Sequence, residues 1–465
     1  MTISLALSQS VHEDLYKHLF PGDGFEAIAV AICGRCVTRS ATKIVIHKII
    51  KIPYDECTRN EGYLNWSTQR LVPFFEMVMH KDMAMLKIHS HPGGFPQFSE
   101  TDDVSDQEFF ESVYGWSGSD RVHGSAVMLP TGEIFGRAIT SEKKFIPFKK
   151  ISVCGNQLKF FFENVSHLSS TEFSLRTLQA FGQGTVNILK NLTVAVVGCS
   201  GTGSPVIEQL VRLGIGKLLL IDPDIIEEKN LNRILNSSRK DALNGVFKVD
   251  ALKKAIENID VGTTVESYAK NLFDEIELLK KLALCDVIFG CLDTIDGRHL
   301  LNQLATFYLI PYFDVGVRLT ADGKGGIDQI LGTVHYLTPG KGSLLTRGVY
   351  TIEGLRSAGL FRTNPKEYYD LRTYGYIANS DVPSPAVVSV NMLAASIAVN
   401  EFLARIHQYR NEGDDQFEIT RFSLSDGYFF HESDDTIDQY LEKYVGRGDM
   451  IPFLNMPEFS FIGEE

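Results

Sequence analysis

Two histidines, a serine and an aspartate follow one strand-like run at the spacing of a metal site. His89 and His91 flank a single residue at the end of the run LKIH, so both imidazoles can face the same ion. Ser99 suits the N-cap of a helix, and Asp102, three residues later, would be directed back at the histidines. These ligands leave a fourth position for water, for which Glu26 is our candidate general base. The pattern predicts a hydrolytic zinc site.

The whole string, H-S-H-P-x6-S-x2-D, resembles the motif of the JAMM (JAB/MPN) metalloproteases over about residues 1–160. The resemblance implies zinc on His89, His91 and Asp102. It also implies a water activated by Glu26 and a hydrogen bond from Ser99 to the tetrahedral intermediate. Members typically cleave the isopeptide or peptide bond after the C-terminal glycine of ubiquitin-like proteins. Three other glutamates are alternative candidates for the base: Glu56, Glu61 and Glu76.

A glycine-rich turn with Gly198, Gly201 and Gly203 closes the apolar run VAVV and precedes a helical pattern. Glycines let a backbone approach phosphates, and the N–H groups at the start of a helix attract an anion. Asp222, at the end of the run LLLI, is placed to bind a ribose hydroxyl. Up to this point the pattern fits an NAD-dependent dehydrogenase equally well.

The polar residues that follow favour a triphosphate over a dinucleotide. They are Asp224, Asn230, Asn232, Arg233, Lys248 and Asp293. Arg233 and Lys248 can neutralise the charge that develops when the α-phosphate is attacked. Asp293 can hold a magnesium ion. We therefore predict that this half of the chain binds Mg-ATP.

This second set resembles the ThiF/MoeB-type adenylyltransferases and the adenylation domain of ubiquitin-activating enzymes, from about Phe173 to Ala404. The segment FSLRTLQAFGQGTVNILKN looks like the first helices of that family. It would make Arg176 the arginine that often reaches into a neighbouring subunit's site. The segment FDVGV at 313–317 also matches. The resemblance implies a homodimer, Mg-ATP, and a C-terminal glycine carboxylate that is converted to an acyl-adenylate.

Relatives that form a thioester place a cysteine downstream of the nucleotide site, and this chain departs from them. A common form has two cysteines three apart after a Pro-Gly turn, where this chain has Ser343 and Thr346. A hydroxyl near neutral pH is a far poorer nucleophile than a thiolate. Three explanations stay open: the enzyme stops at the adenylate, an upstream cysteine serves, or Ser343 replaces a cysteine in order to trap an intermediate. For Cys199 and Cys291 we expect core packing.

The charge balance, the length of the apolar runs and the cysteine content each argue against certain classes of protein. The 465 residues contain 45 Lys and Arg against 58 Asp and Glu, a net charge of −13. This balance argues against a nucleic-acid binder and against docking on an anionic membrane. No apolar run approaches the roughly 18 residues of a membrane-spanning helix. Because the seven cysteines are few and unevenly placed and the N-terminus shows no basic leader, we expect a cytoplasmic protein.

The hydrophobic patterns predict an α/β chain of two domains and a tail. Residues 1–165 should form an α+β JAMM domain, cytidine-deaminase-like by resemblance, with strands at 25–33 and 86–89 and helices at 68–80 and 100–110. Residues 166–430 alternate as β-α-β, which predicts a doubly wound, Rossmann-like adenylation domain of ThiF type. The polar stretch 165–172 suits a linker, and 431–465 suits a tail that packs on the body.

The leading hypothesis joins both halves in one chain that activates a ubiquitin-like protein with ATP and also trims or releases it. A conjugating-enzyme-like protein is a further candidate partner. Such fusions resemble bacterial ubiquitin-like conjugation modules, some of which are linked to antiphage defence. The alternative is a sulfur-carrier protein whose activated glycine becomes a thiocarboxylate for cofactor or siderophore synthesis. A scaffold with degenerate sites is disfavoured because both residue sets are complete, and NAD-dependent redox chemistry is a fourth hypothesis.

Overall fold

A computed structural model describes residues 1–60, 62–163, 172–322, 324–373 and 386–460. Of these, the residues up to 163, residues 306–309 and the residues from 444 onward form one compact unit. The ranges 172–305 and 310–443 form a second unit. Within the described ranges, no helix combines the length and apolar character that a bilayer crossing requires.

The first unit is built on a nine-stranded mixed sheet with the strand order β11-β10-β1-β3-β2-β6-β7-β8-β9, beside a separate hairpin of β4 and β5. Its strands are β1 (Thr2–Ser8), β2 (Ile28–Val37), β3 (Ala41–Lys51), β4 (Cys57–Asn60), β5 (Tyr63–Trp66), β6 (Ala84–Ser90), β7 (His123–Met128), β8 (Ile134–Ile139), β9 (Phe145–Pro147), β10 (Lys150–Cys154) and β11 (Lys159–Phe162). Its helices are α1 (Gln9–Leu19), α2 (Phe75–His80) and α3 (Glu100–Ser117).

Helices cover both faces of this sheet, and the central strands carry apolar residues on both faces. In β2, Ala29, Ala31 and Cys33 pack in one core with α1, and Ile28, Val30 and Ile32 pack in another with α2 and α3. Strand residues alternate between faces. Met85 of β6 lies in the core with α3, so Lys87 and His89 also face that helix. This alternation directs the end of β6 at the first turn of α3.

The predicted strands at 25–33 and 86–89 are confirmed with shifted bounds as β2 and β6. The helix predicted over 68–80 is only half correct, because Thr68–Phe74 is a 3₁₀ helix that contains Pro73, and only Phe75–His80 is α-helical. Proline removes a backbone donor and disfavours an α-helix interior. The predicted linker falls almost wholly outside the described residues.

The second unit contains an eight-stranded sheet with helices between its strands. Its strands are β12 (Thr193–Val197), β13 (Lys217–Ile221), β14 (Thr264–Tyr268), β15 (Val287–Gly290), β16 (Tyr312–Ala321), β17 (Ile327–Leu337), β18 (Ile419–Ser423) and β19 (Tyr428–Glu432). Its helices are α4 (Leu175–Asn191), α5 (Gly203–Arg212), α6 (Arg239–Leu243), α7 (Lys248–Ile259), α8 (Ile276–Ala283), α9 (Ile295–Tyr308, whose last three residues belong to the first unit), α10 (Ile352–Thr363), α11 (Pro365–Thr373) and α12 (Val388–Ile406).

The order of this sheet, β14-β13-β12-β15-β16-β17-β18-β19, confirms the doubly wound prediction for its first five strands, which are all parallel. The chain runs outward from β12 to β14 and then returns to the other side of β12 with β15. Such a reversal opens a crevice at the carboxyl ends of the strands, which is where ligands bind in open α/β sheets. The glycine-rich turn begins at this point.

The segment predicted as one tail, 431–465, is divided by the structure. The boundary after residue 430 falls inside β19, and the residues from 444 onward pack in the first unit against β2 and β3. Gly34 donates its backbone N–H to the Gly446 carbonyl at 3.3 Å. A Cβ at Gly448 would lie 2.4 Å from the backbone nitrogen of Arg35. This approach is close enough to require glycine at position 448.

Candidate functional site

The four motif residues of the first unit meet at the end of β6. The Nε2 atoms of His89 and His91 are 3.1 Å apart. The Oδ1 atom of Asp102 lies 3.0 Å from the His89 Nε2 atom, and its Oδ2 atom lies 3.5 Å from the His91 Nε2 atom. Ligand atoms that share a tetrahedral zinc ion at its usual bond lengths are about 3.3 Å apart. The two imidazoles and the carboxylate therefore fit a zinc ion in both donor chemistry and spacing.

The start of α3 sets the position of Asp102. Ser99 is the N-cap: its hydroxyl accepts from the Asp102 backbone N–H at 3.1 Å. The Asp102 carboxylate accepts in return from the N–H and the hydroxyl of Ser99, both at 2.7 Å. This capping box ties the carboxylate to the helix terminus. The Ser99 hydroxyl thus orients a cluster residue as well as lying beside the cluster.

Hydrogen bonds and charge prepare the cluster for a cation. The His91 Nδ1 atom bonds the Phe95 carbonyl at 2.8 Å, so its Nε2 atom faces the cluster. Burial would lower the pKa of His91, but hydrogen bonds to Asp102 and Phe95 outweigh burial and raise that pKa, so a metal ion would displace a proton from Nε2. Burial alone would raise the pKa of Asp102, but hydrogen bonds to His89 and His91 lower that pKa far below its ordinary value. Burial lowers the pKa of His89 and so favours the neutral imidazole that metals bind.

Glu26 lies two residues before β2, beside His91 and Asp102. Its position follows from the pairing of β2 with β6, in which Ile28 is opposite His89. Burial raises the pKa of the Glu26 carboxyl to about 7, while the charge of His91 opposes that rise and the charge of Asp102 adds to it. A carboxylate with this pKa can accept a proton near neutral pH.

The rival glutamates lie in other surroundings. Glu56 forms an ion pair with Arg70 at 2.6 Å. Glu76 is exposed on α2. Glu61 lies outside the described residues. Of the glutamates that the structure describes, Glu26 is the candidate with electrostatic contact to both His91 and Asp102.

In the second unit the glycine-rich turn is tight enough to exclude side chains. Gly198 has a φ of 88°, in the left-handed region, and a Cβ there would lie 2.5 Å from the Cys291 carbonyl oxygen. A Cβ at Gly203 would lie 1.9 Å from the Gly198 carbonyl oxygen, and one at Gly201 would lie 2.3 Å from the Asn391 side chain. The turn leads into α5 at the switch point, so its N–H groups can face a phosphate.

Asp222, Asp224 and Lys248 converge beside this turn. The buried Asp222 carboxylate accepts from the Cys199 N–H at 2.7 Å and from the Asp224 N–H at 3.0 Å. Lys248, the first residue of α7, places its ammonium 2.6 Å from Asp224 and 3.4 Å from Asp222. Burial lowers the pKa of Lys248, but the two carboxylates outweigh burial and raise it, so this lysine stays charged.

The other predicted nucleotide residues lie at different distances from this cluster. The Arg233 side chain is next to the turn, because a Cβ at Gly201 would lie 3.0 Å from its Cδ atom. Arg233 also bonds the exposed Asn232. Asp293 is exposed in the loop after β15. Arg176 is exposed on α4, where it bonds Gln179 at 3.1 Å.

Sequence reasoning missed a buried ion pair near the same crevice. Arg298 of α9 bonds both oxygens of Asp314 in β16, and the Tyr312 hydroxyl donates to Asp314 at 2.9 Å. Asp314 lies opposite Gly290, the last residue of β15. An aspartate inside the otherwise apolar run YFDV is the sequence signal that could have pointed to it.

Ser343 lies in a setting that does not suit a nucleophile. It is buried, its hydroxyl donates to Asp438 at 2.6 Å, and that hydroxyl also accepts from the Thr346 N–H at 3.2 Å. Next to this pair, Arg347 bonds Asp434 at 2.6 Å. These contacts join the loop after β17 to the segment after β19. We interpret Ser343 as a residue of this hydrogen-bonded junction, and its replacement of a cysteine stays an open explanation.

The cysteines of the second unit also lie in settings that do not suit a nucleophile. Cys199, Cys285 and Cys291 are all buried. Burial raises the pKa of the Cys291 thiol to about 12 and raises that of Cys199 well above its ordinary value. Thiols with such pKa values are not thiolates near neutral pH. The expectation of core packing for Cys199 and Cys291 agrees with their burial.

Two substitutions of Ser343 test whether this residue stabilises the junction or acts as a nucleophile. Ser343→Ala leaves the buried Asp438 carboxylate without its hydroxyl donor, so we expect a loss of about 1–3 kcal/mol in the free energy of unfolding. Ser343→Cys should form no thioester with an activated substrate. Denaturant unfolding and non-reducing electrophoresis of the reaction mixture measure these two effects. A covalent adduct on Ser343→Cys that reducing agent releases would contradict the interpretation.

Comparison with known proteins places both halves in families. One family model, described as "ThiF family", matches residues 174–429, and another, "Prokaryotic homologs of the JAB domain", matches residues 8–130. Together they show the fusion that the two sequence motifs predicted. The ThiF match also agrees with the Rossmann-like sheet of the second unit.

Among curated relatives, the "Ubiquitin-like modifier-activating enzyme 5" of Bombyx mori is 30% identical over 163 residues, which is 33% of this chain and 39% of the relative. The protein of the same name from Xenopus laevis is 34% identical over 164 residues, 33% of this chain and 38% of the relative. The chain thus spans about two-fifths of the length of these relatives. A solved structure, "Crystal structure of E. coli MccB + ATP", has a TM-score of 0.43 and 19% identity over 59% of this chain and 74% of that one. Because the ThiF match covers more than half of the chain, the chain belongs to the ThiF family and carries a JAB-type domain before its ThiF domain.

Proposed function

We propose that this chain adenylates the C-terminal glycine of a ubiquitin-like protein with Mg-ATP, and that its JAB-type unit hydrolyses the bond after that glycine. The observation that carries the first half is the convergence of Lys248, Asp222 and Asp224 on a glycine-rich turn at the switch point of the sheet. The ThiF family and the relatives named as activating enzymes support the same activity.

In the adenylation step a glycine carboxylate oxygen attacks the α-phosphorus of ATP. A bond from that oxygen to phosphorus forms, the bond to the β-phosphate oxygen breaks, and pyrophosphate leaves. The N–H groups of the turn would bind phosphate oxygens, and the side chains of Lys248 and Arg233 would neutralise the charge that develops. Asp293 would hold magnesium, which screens the leaving pyrophosphate. Arg176, exposed on α4, would act in the site of a second copy of the chain.

The acyl-adenylate would then be attacked by a nucleophile from outside this unit. Cys199, Cys285 and Cys291 are buried, and Ser343 is hydrogen-bonded in a buried junction. An amine or a thiol of a partner, such as a conjugating-enzyme-like protein, would attack the acyl carbon and release AMP. Of the three explanations for the missing thiol, direct transfer from the adenylate is the one these surroundings favour.

The peptidase half rests on the cluster at the end of β6. His89, His91 and Asp102 would hold zinc, which when bound would polarise the scissile carbonyl and acidify the attacking water. Glu26 would take a proton from that water and deliver it to the departing amine. Ser99 would hold Asp102 in place and stand beside the carbonyl oxygen as it becomes negative.

The first experiment is ATP–pyrophosphate exchange with candidate ubiquitin-like proteins. Each is offered with a free C-terminal glycine and with extra residues after it. We expect exchange with the free form at once and with the extended form only after a lag during which the extension is removed. A chain that binds no ATP with any substrate would overturn the adenylation half, and NAD binding in its place would favour redox chemistry.

Metal removal tests the peptidase half on its own. A chelator should abolish cleavage of the extended substrate, and one equivalent of Zn²⁺ should restore it, while exchange with the free form stays unchanged in excess Mg²⁺. The two activities thus serve as controls for each other within one chain. Cleavage that persists in the metal-free chain would contradict a zinc peptidase.

A sulfur-carrier substrate is the second candidate function. The burial of every cysteine in the second unit supports this function as well as it supports transfer to a conjugation partner. Sulfide or a persulfide could attack the adenylate without a thiol on this chain. Mass spectrometry of the released protein distinguishes the two outcomes: a thiocarboxylate exceeds the free acid by about 16 Da, whereas conjugation gives an amide to an acceptor.

A further inference from the structure

The candidate zinc ligands His89, His91 and Asp102, here called the metal cluster, come from two elements, β6 and α3, whose relative position must be fixed. His89 and His91 lie at the end of β6, whereas Asp102 lies in the first turn of α3. The distance of 3.0 Å between His89 and Asp102 therefore depends on how α3 sits on the sheet. Apolar contacts of the later turns, from Phe109 onward, fix the far end of the helix. They do not fix its first turns, where the ligand lies.

Polar contacts fix those first turns. Lys87, on the same face of β6 as His89, is buried and donates to the Asp106 carboxylate at 2.8 Å and to the Ser105 hydroxyl at 2.9 Å. Asp106 is fully buried and lies one helical turn after Asp102. The Lys87–Asp106 pair thus connects β6 to α3 close to the metal cluster. Lys87 is two residues before His89, and Asp106 is four residues after Asp102.

Arg137 of β8 also binds Asp106, together with its neighbour on α3, Asp103. Its guanidinium bonds the second Asp106 oxygen at 2.7 Å and the Asp103 carboxylate at 2.5 Å. The same guanidinium is stacked between the rings of Phe98 and Phe145, each 3.7 Å away. A planar, stacked cation that bonds two carboxylates at once allows little movement of either carboxylate.

We infer that Arg137 and Lys87, acting through Asp106, are positioning residues for the metal cluster: they hold the start of α3 so that Asp102 meets His89 and His91. The inference rests on the proposed zinc site and extends it from the ligands to the residues that place them. Asp106 has a second role. Because it pairs with both cations, neither of them neutralises Asp102, whose carboxylate stays available for a metal ion.

The test is zinc affinity of the full chain after Arg137→Met, which keeps the apolar stem between the two phenylalanines and removes the guanidinium. We expect the Kd for Zn²⁺, measured by competition with a chromophoric chelator, to rise 10–100-fold, the range typical for residues that orient metal ligands. The d–d absorption of the Co²⁺-substituted chain should change as the carboxylate ligand becomes loose. Arg137→Lys should give an intermediate Kd, because it keeps the charge but loses the planar group that bonds Asp103 and Asp106 together.

Arg35→Met is the matched control. Arg35 is also a buried arginine of the first unit, but it bonds the Val122 carbonyl and Asp82, and in the described structure it interacts with α3 only through Tyr114 in the last turn, far from Asp102 in the first turn. We expect it to lower Tm as Arg137→Met does, with the Kd for zinc and the cobalt spectrum unchanged.

The outcomes separate this inference from the proposed function. A wild-type chain that binds zinc, together with an Arg137→Met variant of equal affinity and spectrum, overturns the inference alone. A wild-type chain that binds no zinc overturns the peptidase and the inference together. If Arg137→Met does not fold, Lys87→Met takes its place with the same expected rise in Kd, and an unchanged Kd there overturns the inference.

Discussion

Lys248→Ala is expected to lower the rate of ATP–pyrophosphate exchange by about 10²–10³-fold, the usual effect of removing a group that stabilises charge in the transition state. Lys248 is buried at the start of α7 and its ammonium lies beside the glycine-rich turn, 2.6 Å from Asp224. Since its charge acts on the phosphate under attack, the loss should fall mainly on kcat, with a smaller change in KM for ATP.

Lys254→Ala is the matched control for this prediction, because Lys254 lies on the same helix and is exposed. Its exchange rate should stay within twofold of wild type. Removing Lys248 also leaves the buried Asp222 carboxylate without its nearest cation, so a melting curve is needed to show that the variant is folded. A folded Lys248→Ala chain with exchange close to wild type would rule out the assigned role.

The proximity of His89, His91 and Asp102 could be predicted from the sequence because its geometry is local. Asp102 is positioned by Ser99, three residues before it, through a capping box that sequence patterns reveal directly. His89 and His91 are placed by the end of a strand whose apolar alternation is visible in the sequence. Where three or four neighbouring residues determine a geometry, residue types and spacing are enough to predict it.

The sequence did not reveal surroundings that distant segments of the chain create. Ser343 has the residue type and spacing of a replaced cysteine, but Asp438, 95 residues away, makes it part of a buried hydrogen-bonded junction. Arg137 is 31 residues from Asp106, and neither residue carries a recognisable motif. The sequence predicted a tail that packs on the body but not which strands it meets, because the close approaches of Gly446 to Ile46 and of Gly448 to Arg35 join segments about 400 residues apart. Pairing between distant segments depends on the whole fold.

Glu26→Gln is expected to lower peptidase activity on an extended substrate by about 10²–10⁴-fold, the usual contribution of a general base. The substitution keeps the size of the side chain and removes the proton acceptor. Zinc content and ATP–pyrophosphate exchange with the free substrate should remain at wild-type levels, because Glu26 is not among the ligands and belongs to the first unit. Two matched controls come from the rival glutamates: Glu56→Gln and Glu76→Gln should leave cleavage within about twofold of wild type. Glu56 is paired with Arg70, and Glu76 is exposed on α2.

The pH profile gives the same assignment a second test. Burial raises the pKa of Glu26 to about 7 without a metal, and a bound cation favours the carboxylate and lowers that pKa. The kcat/KM for cleavage should therefore rise with pH through a midpoint below about 7 and then level off, as Glu26 becomes the carboxylate that accepts the proton. In Glu26→Gln this acid limb should disappear from the residual activity, because glutamine does not titrate. An acid limb that persists unchanged in the variant would assign the base to another group, and full activity in the variant would remove Glu26 from the mechanism.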